Sequence, residues 1–237
     1  YSFIQRLNFP FPIRDYQFDA VSTGVHRKRS ILLSPTGSGK SLIIYALMRW
    51  YLHYHDKSAL IIVPTTSLVE QLTNDFKEYG MDAENLVHKI YSGKDKITNK
   101  RIIISTWQSI YKLPRQWFAK FGVIFGDECH GFKSKSLMSI MNKATEAEYR
   151  YGTTGTLDGS QTHELALQGL FGAIYRVTST KSLQDNDTLA KLKIKRVVLD
   201  YAEEVRNIRI SVSALESHLD SIGVDYNSSD SSGALIP

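Results

Sequence analysis

The sequence predicts an α/β domain of three layers, in which helices cover both faces of a mostly parallel sheet. Short apolar runs alternate with longer amphipathic segments along residues 16–169, as in chains of strand–helix repeats. Two runs, 59–63 and 102–104, are continuously apolar, as strands buried on both faces are. Polar or glycine-rich residues follow five of the predicted strands, at the edge where open parallel sheets bind their ligands.

Five strands are predicted from short runs of aliphatic, aromatic and β-branched residues. In chain order these strands cover residues 30–33, 59–63, 101–105, 123–126 and 150–154. Segments between and beside them have apolar residues recurring at helical spacing. The predicted helices cover residues 16–25, 41–54, 67–79, 136–142 and 163–169. Because helices separate successive strands, parallel pairing is expected.

The pattern weakens after residue 172. Residues 191–201 offer a possible additional strand, and residues 227–237 are rich in Ser, Asp and Gly, as flexible tails or expression remnants are. We therefore predict a nucleotide-binding domain over 1–180, an exit segment over 181–205 and a C-terminal tail over 206–237.

Composition limits the possible classes of protein. The 237 residues, 42% of them hydrophobic, suffice for one large domain or a domain with an appendage. No stretch approaches the ~20 consecutive apolar residues of a membrane helix. The N-terminus lacks the layout of a signal peptide, so an intracellular location and no membrane partner are expected. The single cysteine, Cys129, excludes an intrachain disulfide and a multi-cysteine zinc site.

The net charge of +5 is compatible with a polyanionic partner but modest for this length. Lysines and arginines cluster at residues 27–29, 94–101, 133–135 and 191–196. Each cluster is equally explained by a solvated surface. Charge alone therefore does not establish nucleic-acid binding.

A phosphate-binding loop is predicted between the first strand and the helix that follows it. Residues 34–41 read Ser-Pro-Thr-Gly-Ser-Gly-Lys-Ser. Gly37 and Gly39 allow successive N–H groups to curl around a phosphate, and the next helix directs its positive end there. Ser34 stands where Gly or Ala is usual, but it belongs to the strand end. The alternative is a Gly/Ser-rich turn with an incidental lysine.

Two side chains of this loop carry the expected chemistry. Lys40 can reach the terminal phosphates of a nucleotide, and the Ser41 hydroxyl can bind Mg²⁺. The loop residues expected to contact the nucleotide are Pro35, Thr36, Gly37, Ser38, Gly39, Lys40 and Ser41.

An acidic pair follows the fourth predicted strand. Asp127 can hold Mg²⁺, directly or through water, and Glu128 can polarise the water that attacks a γ-phosphate. A solvated acidic pair at the surface is the alternative. The apolar strand before the pair and the phosphate-binding loop upstream favour the catalytic interpretation.

The segment Asp-Glu-Cys-His at residues 127–130 resembles the Asp-Glu-x-His box of superfamily 2 helicases and nucleic-acid translocases. Four further segments resemble motifs of that family in the expected order. They are 14–17, similar to the adenine-reading segment; 64–71, similar to motif Ia; 105–109, similar to the next strand-binding motif; and 154–156, similar to motif III. Gly155 departs from the alanine that is common in motif III. The resemblance covers about residues 14–156 and implies a RecA-like P-loop fold.

The resemblance also implies ligands and roles. ATP and Mg²⁺ are the implied cofactors, with Arg14 and Gln17 at the adenine and His130 coupling the nucleotide site to motif III through Thr154 or Thr156. Gly155 belongs to the same coupling segment. The implied nucleic-acid contacts are Pro64, Thr65, Thr66, Ser92, Gly93, Thr106 and Trp107. Phosphate contacts of this kind carry little sequence information, as a motor requires. For Trp107, packing in the core is the alternative to base stacking.

Members of this family work with two RecA-like domains, and ATP lies between them. After residue 156 we find no second strand–helix series and no Gln-x-x-Gly-Arg-x-x-Arg segment to supply arginine fingers. The chain alone is therefore expected to hydrolyse ATP poorly. Local phrases similar to phage recombination helicases favour single-stranded or branched DNA as the substrate, in recombination, repair or fork remodelling. The alternatives are an RNA helicase, a P-loop kinase or small-molecule ATPase, and a nucleic-acid-binding module without activity.

Overall fold

The computed structural model describes residues 2–131, 134–157 and 161–190, which belong to one compact unit, Tyr1–Lys191. The possible strand at 191–201, most of the exit segment and the tail lie outside the described residues.

Within the described residues, seven strands form one parallel sheet, which confirms the predicted fold class. The strands are β1 (Arg29–Leu33), β2 (Ser58–Val63), β3 (Val87–Ile90), β4 (Ile102–Thr106), β5 (Phe121–Gly126), β6 (Tyr149–Thr154) and β7 (Ile174–Arg176). Their order across the sheet is β3-β4-β2-β5-β6-β1-β7. All carboxyl ends therefore meet at one edge of the sheet.

Ten α-helices surround the sheet in the described ranges. They are α1 (Ser2–Arg6), α2 (Asp15–Arg27), α3 (Lys40–Tyr54), α4 (Thr66–Glu78), α5 (Ala83–Leu86), α6 (Trp107–Ile110), α7 (Arg115–Phe118), α8 (Ser134–Lys143), α9 (Gln161–Phe171) and α10 (Thr180–Asp185). The five predicted helices correspond to α2, α3, α4, α8 and α9. No helix of the described part is both long and apolar enough to cross a membrane.

Two apolar clusters lie between the sheet and the helices, one on each face of the sheet. One contains side chains of α2, α3 and α4 with Leu32 and Ile61, and the other contains side chains of α6 to α9 with Ile31 and Ile62. Neighbouring strand residues enter opposite clusters because successive side chains of a strand point to opposite faces. The central strands are apolar on both faces for this reason.

The two edge strands, β3 and β7, are not among the strands predicted from the sequence. Only the first and last residues of β3 are buried, and no residue of β7 is. An edge strand has one neighbour and less covered surface, so its sequence needs fewer apolar residues. The pattern that identifies buried strands is therefore weak at both edges.

Phe125 in the central strand β5 is expected to contribute strongly to stability. Its side chain is fully buried and packs on Tyr151 with ring centroids 5.2 Å apart. Phe125→Ala is expected to lower the free energy of unfolding by about 3–5 kcal/mol, because it leaves a cavity in a packed layer. Urea unfolding measures the change. The control Ile97→Ala, at a side chain 81% exposed, should change stability little, and a comparably small effect at Phe125 would contradict the prediction.

Candidate nucleotide-binding site

The phosphate-binding loop connects β1 to α3, as predicted. Gly37 and Gly39 have φ angles of 80° and 82°, in a backbone region that residues with a Cβ atom rarely adopt. At Gly39, a Cβ atom would also lie 2.3 Å from Nε2 of Gln17. Both glycines are therefore required by the geometry. The loop leads into the N-terminus of α3, whose free N–H groups and positive dipole suit an anion.

Ser34 has a role that the sequence analysis did not assign. Its buried hydroxyl donates to Ser38 Oγ at 2.6 Å, and the Ser38 hydroxyl donates to the Pro35 carbonyl at 2.6 Å. The strand end is thus bonded to the turn of the loop. Glycine or alanine at position 34 could not make this bond, because neither has a hydroxyl group.

Lys40 and the acidic pair lie together at the carboxyl edge of the sheet. Lys40 Nζ is 3.0 Å from Oε1 of Glu128, and both side chains are largely covered. Oδ1 of Asp127 accepts hydrogen bonds from the Thr153 hydroxyl at 2.7 Å and from the Glu128 N–H at 3.0 Å. Burial raises the pKa of Asp127 above its ordinary value. The strand register brings β5 beside β6 and so places these groups together.

Glu128 is held by an unusual backbone conformation. Its φ angle is +47°, in the left-handed region that few residues other than glycine adopt. This conformation lies directly after the strand and accompanies the contact between the carboxylate and Lys40.

His130 lies beside motif III, where the family resemblance implied a contact. Its Nδ1 is 2.6 Å from Oγ1 of Thr154, whose hydroxyl donates to the Thr156 carbonyl at 2.7 Å. Because a hydroxyl has one hydrogen, Thr154 must accept from His130, which makes Nδ1 the protonated nitrogen. The same Nδ1 lies 3.5 Å from Oε2 of Glu128. A continuous set of contacts thus joins Glu128 to the 154–156 segment. Gly155 lies beside the loop, since a Cβ there would be 3.6 Å from Lys40 Nζ.

Two cavities meet at Gly37 and Gly39. The phosphate-side cavity, about 260 Å³, is bounded by the loop, one face of α4 and the acidic pair. The base-side cavity, about 350 Å³, is bounded by Phe11, Pro12, Arg14, Gln17, Gly37, Gly39, Leu42 and Tyr79. The first suits phosphates, and the second has the aromatic and amide groups that suit a nucleobase.

Gln17 connects the base-side cavity to the loop. Its Nε2 donates to the Ser38 carbonyl at 2.9 Å, while its Oε1 accepts from the Arg14 N–H at 3.0 Å. Arg14 directs its guanidinium to the Tyr16 hydroxyl at 2.8 Å. The Gln17 side chain is therefore buried and bonded at both polar atoms, and it holds the loop as well as lining the cavity.

The phosphate-side cavity fits Mg²⁺. Ser41 and Asp127 both line it and offer the oxygen ligands that this ion prefers. Among the residues described, no group of three or more His, Cys, Asp or Glu could hold a metal ion alone. Proteins commonly bind Mg²⁺ through one or two side chains together with substrate phosphates and water.

Two polar residues at this site were missed by the sequence analysis. The Tyr79 hydroxyl lies 2.8 Å from Ser41 Oγ, and Asp75 lines the phosphate-side cavity. Both follow the motif Ia segment with the four-residue spacing of one helix face. That spacing indicates a shared face, but nothing in the sequence indicates that the face points to Ser41.

The candidate nucleic-acid contacts differ in exposure. Thr65 and Thr66 are exposed at the start of α4, beside the partly buried Pro64, and Ser92 and Gly93 are exposed in the turn after β3. Thr106 is only 5% exposed, and its hydroxyl is 2.9 Å from Ser109 Oγ. Trp107 is partly buried against the second cluster and lies 6.0 Å from Tyr111 between ring centroids. Thr65 and Thr66 are thus more accessible from solvent than Thr106.

Known proteins resemble the chain in sequence. Residues 10–159 match the family described as "Type III restriction enzyme, res subunit". The ATP-dependent DNA helicase uvsW of Enterobacteria phage T4 is 36% identical over 193 residues, 80% of this chain and 38% of uvsW. The DNA 3'-5' translocase XPB2 of Sulfurisphaera tokodaii is 30% identical over 207 residues, 83% of this chain and 44% of XPB2. The chain thus spans less than half the length of both relatives.

Solved structures resemble the chain in fold. The crystal structure of the UvsW helicase from bacteriophage T4 matches with a TM-score of 0.67 at 34% identity, over 73% of this chain and 66% of that chain. The Pyrococcus furiosus Hef helicase domain matches with a TM-score of 0.60 at 19% identity, which shows the shared fold alone. The family match covers more than half of this chain and includes the loop and the acidic pair. The chain therefore belongs to the Type III restriction enzyme res-subunit (ResIII) family, the N-terminal RecA-like domains of superfamily 2 helicases.

Proposed function

We propose that this chain is the first motor domain of an ATP-dependent DNA helicase or translocase. The observation that carries the proposal is the phosphate-side cavity, where Lys40, Ser41, Asp127 and Glu128 meet the phosphate-binding loop. The exposed residues Thr65 and Thr66 lie at the start of the helix that forms one wall of that cavity. The proposed nucleotide site and the proposed nucleic-acid contacts therefore lie at the same edge of the sheet.

Each residue would have a separate task in ATP hydrolysis. The N–H groups of the loop and the Lys40 ammonium would bind the phosphates, and Gln17 and Arg14 would orient the base. Ser41 and Asp127 would hold Mg²⁺, which neutralises phosphate charge when bound. Glu128 would accept a proton from the attacking water. His130, which contacts both Glu128 and Thr154, would couple the nucleotide site to the 154–156 segment.

A second RecA-like domain is part of the proposal. The chain spans 38% of uvsW and 44% of XPB2, so both relatives have further residues that this chain does not cover. Arginine fingers from such a domain contribute roughly 10³ to 10⁵ in rate in related phosphoryl-transfer enzymes. We therefore expect the chain alone to bind nucleotide and to turn it over slowly.

DNA is favoured over RNA by the names of the sequence relatives, a DNA helicase and a DNA translocase. Action on branched or single-stranded DNA in recombination, repair or fork remodelling is the finer part of the proposal. Since DNA lies inside cells, the proposal also implies an intracellular location.

ATP hydrolysis by the chain, and by a longer protein that adds the second domain, tests the proposal. Each is assayed without nucleic acid and with single-stranded DNA, branched DNA or RNA of equal length. We expect slow turnover by the chain and severalfold stimulation of the longer protein by DNA. Equal stimulation by RNA would favour an RNA helicase. Turnover that ignores nucleic acid would favour a kinase or small-molecule ATPase, and DNA binding without hydrolysis would favour a binding module.

A further inference from the structure

The helix α4 contacts both parts of the nucleotide site. Four of its residues share one face, at positions i, i+3, i+4 and i+7, and line the phosphate-side cavity: Leu68, Gln71, Leu72 and Asp75. Tyr79, at the C-terminal end of the helix, continues this stripe and lines the base-side cavity. None of the residues expected to bind the nucleotide belongs to α4.

Tyr79 reaches Ser41 with its hydroxyl alone. The ring packs edge-on against Phe11 and Tyr45, with centroids 5.7 Å and 5.3 Å away. Phenylalanine would fill the same space, because these contacts involve only the ring. The hydroxyl is 2.8 Å from Ser41 Oγ, within hydrogen-bond distance. Packing therefore explains the aromatic ring at position 79, but it does not explain the hydroxyl group.

The contact with Tyr79 leaves Ser41 able to bind a metal ion. Either hydroxyl of the pair could be the donor. A hydroxyl oxygen has two lone pairs, so Ser41 Oγ keeps at least one for a metal ion even where it accepts from Tyr79. Asp75, one helical turn before Tyr79, is partly buried and lines the same cavity as Ser41.

We propose that Tyr79 is a positioning residue that fixes the orientation of the Ser41 hydroxyl for Mg²⁺. The inference rests on the proposed function, because it takes Ser41 as a metal ligand. A free serine hydroxyl rotates, and ordering it on binding costs affinity; holding it beforehand reduces that cost.

The test is the metal-dependent part of nucleotide affinity. The chain is titrated with a fluorescent ADP analogue in Mg²⁺ and again in EDTA. The dissociation constant in EDTA is divided by that in Mg²⁺, and this ratio is compared among variants. Tyr79→Phe should lower this ratio about fivefold, the effect of losing one hydrogen bond of about 1 kcal/mol. Affinity in EDTA should stay within about twofold, which also reports correct folding. The control is Tyr151→Phe, whose hydroxyl donates to the Gly24 carbonyl at 2.9 Å outside both cavities.

A double variant shows whether Tyr79 acts through Ser41. Ser41→Ala should remove most of the metal dependence, and adding Tyr79→Phe should lower it no further. Equal losses with and without metal, unchanged ratios, or a full effect of Tyr79→Phe in the Ser41→Ala background would each overturn the inference. A wild-type chain that bound nucleotide equally with and without Mg²⁺ would overturn the proposed function as well, so the two failures are distinguishable.

Discussion

Lys40→Ala is expected to weaken binding of Mg²⁺-nucleotide by the chain about 10- to 100-fold, as loss of a hydrogen bond to a charged group does. The ammonium is the only cation that lines the phosphate-side cavity within the described residues. It is largely covered and paired with Glu128 at 3.0 Å. Removing it leaves the terminal phosphates without a cationic partner and Glu128 unpaired. Titration with a fluorescent nucleotide measures the loss.

Lys57→Ala is the matched control for this experiment. Lys57 pairs with Glu146 at 2.8 Å, but both side chains are about half exposed, and the lysine precedes β2 at the opposite edge of the sheet. The same charge is lost far from the loop, and an exposed pair contributes little. A Lys40→Ala chain that binds as well as the Lys57→Ala chain would contradict the assignment of this cavity to nucleotide.

Glu128→Gln is expected to abolish turnover while binding is retained. Glutamine keeps the size of the side chain but cannot accept a proton from water, and loss of a general base costs roughly 10² to 10⁴ in rate. The measurement is the rate of ATP hydrolysis at saturating ATP and DNA, in the longer protein with its second domain. A rate within about tenfold of the unchanged protein would argue against Glu128 as the base.

Nucleotide affinity of the Glu128→Gln chain separates catalysis from binding. The substitution releases Lys40 from its ion pair and removes a negative charge that lines the cavity expected to hold phosphates. Affinity should therefore be unchanged or higher, because like charges repel. Glu146→Gln, which loses an exposed carboxylate paired with Lys57, is the control. A large loss of affinity would instead indicate a structural role for Glu128.

The parts of this site that lie close together in the chain could be predicted from it. Residues 34–41 form a continuous loop between a strand and a helix, so composition and order suffice to identify it. The acidic pair could be assigned to the same edge of the sheet as the loop, because the loop and the pair each follow a predicted parallel strand. The contact of His130 with motif III was available only from the family resemblance, since it joins residues 24 positions apart.

Contacts made by the faces of packed elements could not be predicted. The bond between Ser41 and Tyr79 spans 38 positions and depends on how α4 is rotated against α3. The bond between Gln17 and Ser38 spans 21 positions and depends on how α2 lies against the loop. Helical spacing indicates which residues share a face, but packing decides what that face meets. Thr106 illustrates the same point, because its burial follows from the neighbours of β4 and not from its position at a strand end.

The parallel α/β fold, the phosphate-binding loop and the acidic pair at one edge of the sheet could all be predicted from the order of the residues. These features depend on local composition and on the period of apolar residues, which the chain carries directly. Three contacts are visible only in the folded chain: Lys40 with Glu128, Ser34 with Ser38, and Tyr79 with Ser41. Such contacts are set by strand register and helix packing, which combine residues that are distant in the chain.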